Sequence, residues 1–139
     1  MSYPQPHFIT FPKHGEPSIG YISVTSNNSL PFQVERVFWT YYTPESIVRG
    51  RHAHYKTEQI LIAAGGRIIV NTDDGYGNIQ SFVLDSPEKG LYVPPNVWHT
   101  MQYTHSSIQL VLASTSFDEK DYIRDYEEFK KVWSKNGDQ

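Results

Sequence analysis

The sequence predicts an all-β protein, a closed antiparallel barrel or a sandwich, and three observations carry that prediction. Short β-type runs recur along most of the chain. Strong turn signals separate them. Aromatic residues make up 14% of the 139 positions, with ten Tyr and seven Phe, residue types that favour a pleated, half-buried surface. Many short strands at regular spacing, each bounded by Gly, Pro, Asn or Asp, are the pattern of closed or sandwiched sheets.

In order, the runs are HFITF at 7–11, IGYISVT at 19–25, FQVERVFWTYY at 32–42, RGRHAH at 49–54 and EQILIAA at 58–64. They continue with RIIVNT at 67–72, IQSFVL at 79–84, GLYV at 90–93, WHTMQY at 98–103 and IQLVLAS at 108–114. The segments NNSLP, TPES, DDGYGN, DSPEKG, PPN and THSS punctuate them. Gly65-Gly66 lies between two apolar runs and reads as a two-residue hairpin. Beyond Ser116 the pattern changes: Tyr122, Ile123, Tyr126, Phe129 and Trp133 recur at helical spacing. Asp118 stands at the start as a cap and lysines cluster near the end. This predicts a C-terminal helix over about 118–135, packed outside the barrel and without a chemical role. No linker, repeat or low-complexity stretch divides the chain, so one domain over 1–139 is expected, its barrel spanning about 7–115.

Composition excludes several classes. Net charge is −3, with 12 basic and 15 acidic residues, and no Lys/Arg run exists to meet nucleic-acid phosphates. With no cysteine, disulfides and thiolate metal sites are impossible. The N-terminal residues lack the charged and apolar regions of a signal peptide, and no stretch approaches the roughly 20 apolar residues of a membrane span. A cytoplasmic protein without a membrane partner is the expectation.

Two segments hold the chemistry. In Gly50-Arg51-His52-Ala53-His54, followed by Glu58, the residues His52, His54 and Glu58 share parity, so in an extended chain they project from one face. Polar groups pointing into a barrel need partners that apolar filling would not. The second segment, Pro94-Pro95-Asn96-Val97-Trp98-His99, brings a third imidazole after a tight turn, with Asn96 suited to a left-handed conformation. His7, His14 and His105 lie in polar or terminal stretches and read as surface residues.

The pattern G-x-H-x-H-xxx-E-xxxxxx-G followed by P-x-N-x-x-H resembles the two cupin motifs, with Asn96 where Gly is usual. The fold implied is a cupin, a double-stranded β-helix or jelly-roll barrel, with the C-terminal α-helix appended. A narrower match runs nearly end to end: Pro31-Phe32, Arg36-Val37-Phe38, Arg49 to His54, Glu58-Gln59, Gly90-Leu91-Tyr92-Val93, Val97-Trp98-His99, Val111 to Ser114, Asp118-Glu119 and Asp121-Tyr122-Ile123-Arg124. Together these resemble the cupin sugar 3,4-ketoisomerases that act on dTDP-4-keto-6-deoxyglucose. The resemblance implies an isomerase needing no metal or other cofactor, usually a homodimer that exchanges N-terminal strands. It implies a place in making dTDP-linked 3-amino-3,6-dideoxysugars for bacterial surface glycans such as O-antigen.

By the same resemblance His52 is the base at C3 and His54 orients it, stabilises the enediolate or relays protons. Histidine suits the task because its ordinary pKa of about 6.5 lets it accept and return protons near neutrality. Arg36 and Arg49 are candidates for the diphosphate, whose oxygens match guanidinium forks. Tyr92 and Trp98 are candidates to stack on the thymine ring, and His99 completes the substrate-binding set. The chain departs from the family where Phe38 stands in place of a frequent Tyr and Tyr55 in place of a frequent Lys. Phe38 cannot donate a proton, so any role of that hydroxyl is absent or falls to Tyr41, Tyr42 or Tyr92. That bears on product stereochemistry more than on reaction class.

Spacing alone favours a rival. His52, His54, Glu58 and His99 form a three-His-one-carboxylate set suited to Fe(II), Mn(II), Ni(II) or Zn(II), as in a dioxygenase or metal-dependent isomerase. A sugar-nucleotide-binding cupin without turnover is the second alternative.

Overall fold

The structure, a computed structural model, describes residues 4–137, with side chains described as far as position 133. Twelve strands and one helix form in it, in chain order: β1 His7–Thr10, β2 Lys13–Glu16, β3 Gly20–Ser23, β4 Arg36–Tyr41, β5 Val48–His54, β6 Gln59–Gly65, β7 Ile68–Asp73, β8 Ile79–Leu84, β9 Lys89–Val93, β10 Trp98–Tyr103, β11 Ile108–Ala113, β12 Tyr122–Ile123 and α1 Tyr126–Gly137. Two five-stranded antiparallel sheets face each other, one ordered β1-β9-β6-β11-β4 and the other β12-β5-β10-β7-β8. This is the expected cupin jelly roll. The β2–β3 hairpin stands apart as a two-stranded sheet.

Alternation along the strands fixes which side chains meet between the sheets. Leu61, Ile68, Val70, Leu84, Leu91, Val93 and Val111 are buried there. Each such side chain contributes about 1.5–3 kcal/mol relative to exposure. On the outer face of the first sheet a second cluster gathers Phe11, Phe32, Ile60, Ile62, Tyr92 and Leu112.

Two expectations are corrected. Gly65-Gly66 is not a hairpin: β6 pairs with β9 and β11, whereas β7 pairs with β8 and β10. The two glycines turn a corner between sheets, and Gly66, at φ +72°, runs so close to Ser107 that an added Cβ would lie 2.6 Å from its Cα. The helix starts later than periodicity predicts. Residues Glu119–Asp121 form one 3-10 turn, capped by Asp118 accepting from the Lys120 amide, and Tyr122–Ile123 pair with His54 and Ala53 of β5. Asp121 is tied to the backbone at Lys56 and Thr57, and those bonds hold the chain extended where a helix would otherwise propagate. Only from Tyr126 do Phe129 and Trp133 pack as a helix, against Ala53 and Ile123.

Phe129 is fully buried and is the main apolar anchor of α1, with Trp98 and Trp133 rings 5.8 and 6.5 Å away. Phe129→Ala is expected to cost about 3–5 kcal/mol, read as a lowered urea midpoint at unchanged slope. A loss below about 1 kcal/mol would show that α1 does not anchor through this ring.

Candidate active site

The site is built where β5 meets β10, and its key is an extra residue. His52 lies opposite His99, while Gly50 lies opposite Thr100, so Arg51 has no partner across the ladder. Gly50 and Arg51 take φ of +83° and +58°, the left-handed region that Gly enters freely and Arg does not. Gly50 is also required by space: a Cβ there would lie 2.8 Å from Met101 Cε and 2.9 Å from the His99 carbonyl oxygen. A bulge of this kind reverses strand parity. Arg49 and His52, which simple alternation places on opposite faces, therefore line one small cavity of about 80 Å³ with Phe38, Gln59 and His99.

Three imidazoles gather beside one another, His52 and His99 lining the cavity and His54 next to them. The His52 ring lies 5.0 Å from that of His54 and 4.7 Å from that of His99, centroid to centroid. Each has its Nδ1 committed: His52 to the Gly50 carbonyl at 3.0 Å, His99 to the Val97 carbonyl at 3.1 Å, and His54 to Asp121 Oδ2 at 3.1 Å. Carbonyls and carboxylates only accept, so each Nδ1 carries the proton and each Nε2 is left as a base. The His54 Nε2 is buried and has no protein partner among the described residues. Burial disfavours the imidazolium, and neighbouring rings add to it. His52 is pushed down to about 2 by desolvation, then by His99 and His54. Desolvation and His99 lower His54 against the opposing pull of Asp121, and burial lowers His99. All three are neutral at pH 7.

Asp121 is the organiser that sequence reading missed, having been assigned to a chemically idle helix. Its carboxylate accepts from the Lys56 amide at 2.7 Å, the Thr57 amide at 3.3 Å and the Thr57 hydroxyl, as well as from His54. Tyr122, beside it, lays its ring 4.3 Å from His54 and 5.1 Å from His52. Its hydroxyl accepts from Arg36 Nη1 at 3.2 Å. The available signal was the Asp-Tyr-Ile-Arg run itself, which the helical reading absorbed.

The other candidates divide. Arg36 is half-buried, with Phe38 and Phe117 rings 5.3 and 5.7 Å from its guanidinium carbon, and Arg49 is exposed at the cavity's edge. Asn96 takes the left-handed conformation expected of it, φ +59°, and its amide donates to the His54 carbonyl at 2.7 Å, joining the two histidine segments. Tyr92 and Trp98 lie elsewhere. Tyr92 belongs to the outer cluster, and Trp98, one residue from His99 and so on the opposite face of β10, packs on Tyr126 and Phe129. Glu58 is not with the histidines either. The chain leaves β5 at His54 and re-enters β6 at Gln59, so parity does not carry across, and Gln59 takes the inward place. Glu58 accepts instead from the Tyr92 hydroxyl at 2.6 Å, so His52, His54, Glu58 and His99 do not assemble as one ligand set. Among the described residues no three His, Asp or Glu side chains are grouped to hold a metal.

Burying neutral imidazoles makes stability depend on acid. Unfolded histidine takes a proton near pH 6.5, while folded His52 resists it down to about 2. Below 6.5 the unfolded chain therefore binds more protons, and stability falls as pH drops through that value. His52→Asn removes one such proton. The slope of unfolding free energy against pH between about 4 and 5.5 should then flatten by roughly 1.4 kcal/mol per unit, measured by urea titration of both proteins. An unchanged slope would mean that His52 is charged in the native state.

With this geometry in place, comparison with known proteins is direct. The family model described as "FdtA: WxcM-like, C-terminal" matches residues 4–134. The TDP-4-oxo-6-deoxy-alpha-D-glucose-3,4-oxoisomerase of Aneurinibacillus thermoaerophilus is 44% identical over 115 residues, 82% of each chain. Two solved structures are similar throughout. A sugar 3,4-ketoisomerase from Thermoanaerobacterium thermosaccharolyticum, in complex with TDP, has a TM-score of 0.90 at 30% identity, covering 95% of this chain and 96% of its own. A 3,4-ketoisomerase from Helicobacter canadensis has a TM-score of 0.87 at 32% identity, covering 93% and 97%. With its cluster of three histidines inside a jelly roll and a family match running almost from end to end, this chain belongs to the FdtA, WxcM-like C-terminal family.

Proposed function

We propose that this chain is a sugar-nucleotide 3,4-ketoisomerase that converts dTDP-4-keto-6-deoxyglucose to its 3-keto isomer. The observation that carries the reading is the pair of neutral imidazoles, His52 and His54, with ring centroids 5.0 Å apart, of which His52 lines a small cavity together with His99. The activity named for the 44% identical relative supports it.

The reaction is an internal redox exchange with no net hydride. His52 Nε2 takes the proton from C3, and the C–H electron pair becomes the C3–C4 double bond as the C4 carbonyl turns into an oxyanion. The same imidazolium returns its proton to C4, the C3 hydroxyl gives up its proton as that oxygen becomes the new carbonyl, and the C4 oxyanion gains one. A lone imidazolium is costly in this cavity. Beside a developing enediolate it becomes one half of an ion pair, so the charge that burial disfavours is matched when it forms. The strongly lowered pKa also makes the imidazolium a ready donor for the return step. The cavity, about 80 Å³, holds roughly three waters. It takes the reacting edge of a hexose and leaves the diphosphate outside, where Arg49 lies at the cavity's edge and Arg36 is the second candidate.

The metal reading is less well supported, because Glu58 is engaged by Tyr92. On the favoured reading no cofactor is needed. The step runs in the cytoplasm within one cupin domain, and its 3-keto product is the substrate class an aminotransferase takes toward dTDP-3-amino-3,6-dideoxysugars of surface glycans. For the described residues, no helix is long and apolar enough to cross a membrane.

We also infer a homodimer that exchanges N-terminal strands. β4 is an edge strand whose outward residues Val37, Trp39 and Tyr41 are 48%, 60% and 55% exposed, and bare apolar edges invite pairing. Among the described residues the β2–β3 hairpin, exposed throughout, pairs only with itself. Trp39→Glu should shift the protein from dimer to monomer by light scattering. A wild-type monomer at micromolar concentration would defeat the inference.

The activity is tested by NMR of dTDP-4-keto-6-deoxyglucose incubated with the protein in deuterated water. Formation of the 3-keto isomer, with deuterium entering the sugar, is expected. His52→Asn should lower turnover by at least a hundredfold while sparing TDP binding. A wild-type protein that binds TDP yet changes nothing would be a sensor, and activity lost on chelation and restored by metal would revive the metal reading.

A further inference from the structure

We propose that Tyr122, set by Arg36, is the hydroxyl that exchanges protons with the C3 and C4 oxygens of the sugar. The proposal rests on the ketoisomerase reading and adds a catalytic residue to it. Moving a ketone between adjacent carbons shifts two protons. One travels from C3 to C4, and the other must leave the C3 oxygen and arrive at the C4 oxygen. Three imidazoles with fixed Nδ1 protons supply bases for the first transfer. The second needs a group that gives a proton and takes one back at a single atom, as a hydroxyl does.

Phe38, facing the cavity, has no hydroxyl to offer. The three tyrosines singled out in its place are all wrongly situated. Tyr41 and Tyr42 are exposed and pack on each other, 5.1 Å between centroids. Tyr92 spends its proton on Glu58 in the outer cluster. Within the barrel, Tyr103 donates to Gln109 at 2.6 Å.

Tyr122 is different on three counts. It pairs directly across from His54 in the β12–β5 ladder, so the backbone sets its ring against the imidazoles. Its oxygen accepts from Arg36 Nη1, which leaves its own proton without a protein acceptor among the described residues. Arg36 in turn sits between the rings of Phe38 and Phe117, so a fixed positive charge stands beside an oxygen that must briefly turn negative.

The step balances. As the C3 proton passes to His52, the O–H bond of Tyr122 breaks and its proton goes to the C4 oxyanion, leaving an enediol and a phenolate held by Arg36. The phenolate then takes the proton from the C3 hydroxyl. The electron pair left on that oxygen forms the C3 carbonyl while C4 takes the proton from His52, and Tyr122 and His52 are both restored.

The test is Tyr122→Phe, which keeps the ring and removes only the oxygen. Turnover of dTDP-4-keto-6-deoxyglucose, deuterium entry at C3 of recovered substrate, and TDP binding are measured for it and for wild type. Turnover should fall about a hundredfold or more with TDP affinity within about threefold of wild type. Without the oxygen-to-oxygen transfer the enediolate forms and reverts, so the ratio of C3 exchange to product should rise at least tenfold. A purely structural role would lower exchange and turnover together, and that outcome overturns the proposal. Turnover within about threefold of wild type, or loss of TDP binding, overturns it as well. Wild-type protein that neither exchanges nor isomerises the sugar would instead defeat the ketoisomerase reading on which the proposal stands.

Discussion

The site depends on a single unpaired residue in a ladder. Were β5 and β10 joined without Arg51 as an extra residue, alternation would send either Arg49 or the two histidines away from the interior. The bulge reverses parity once, between Gly50 and His52, and a cation, Arg49, and a base, His52, come to line the same space as His99. It also fixes chemistry, since the Gly50 carbonyl freed there is the acceptor for His52 Nδ1. Arg51 sits in a left-handed conformation that costs an ordinary residue roughly 1–2 kcal/mol. The ladder bonds on either side hold it there. Strain, tautomer and facing are one local event.

A second layer holds that event in place from behind. Asp121 closes a loop between the end of β5, the start of β6 and the C-terminal segment, accepting from the backbone at Lys56 and Thr57, from the Thr57 hydroxyl and from His54. Four donors on one carboxylate leave it little freedom, and an oriented acceptor is what fixes a neutral imidazole's tautomer. Packing of α1 continues the same support: Phe129, Trp133, Ala53 and Ile123 form one buried cluster directly behind β5. The tail thus acts on the chemistry through geometry. Its 3-10 turn, two-residue strand and helix are three successive ways of pressing one strand into position.

How much of this was legible follows from what each signal encodes. The strands could be read because alternation and turn residues are local properties, and the histidine pair because two residues apart on one strand always share a face. Glu58 could not be placed by the same rule, since the rule holds only while the chain stays extended, and the chain bends at Tyr55 and Lys56 between β5 and β6. The bulge was invisible for the opposite reason: one inserted residue changes facing without changing composition. Gly65-Gly66 carried a true turn signal whose partners were misassigned, because hairpins and sheet-to-sheet corners use the same residues. In the tail, helical spacing from Tyr122 to Trp133 was real only from Tyr126 onward. Tertiary bonds to Asp121 outweighed intrinsic preference in the first turn, where few bonds are made and nucleation is costly.

Burial is what ties these parts to function. Three imidazoles in one low-dielectric space would be ruinous if charged, and desolvation together with mutual repulsion keeps them neutral. The fold thereby gives up stability in acid to keep unprotonated bases near neutral pH. Filling the same volume with Leu or Val would be cheaper. What that filling could not provide is a cavity whose polarity answers only to a negative charge arriving from outside. A ketone with an adjacent acidic C–H brings that charge when it ionises, and at that moment the interior that repels a lone imidazolium favours an imidazolium–enediolate pair. The same logic accounts for Arg36, held by aromatic faces and a phenolic oxygen with no carboxylate ion-paired to it among the described residues. An acidic partner would neutralise the guanidinium before substrate came. Leaving the cation uncompensated and the bases uncharged keeps both available to a single anionic ligand whose charge grows during the reaction.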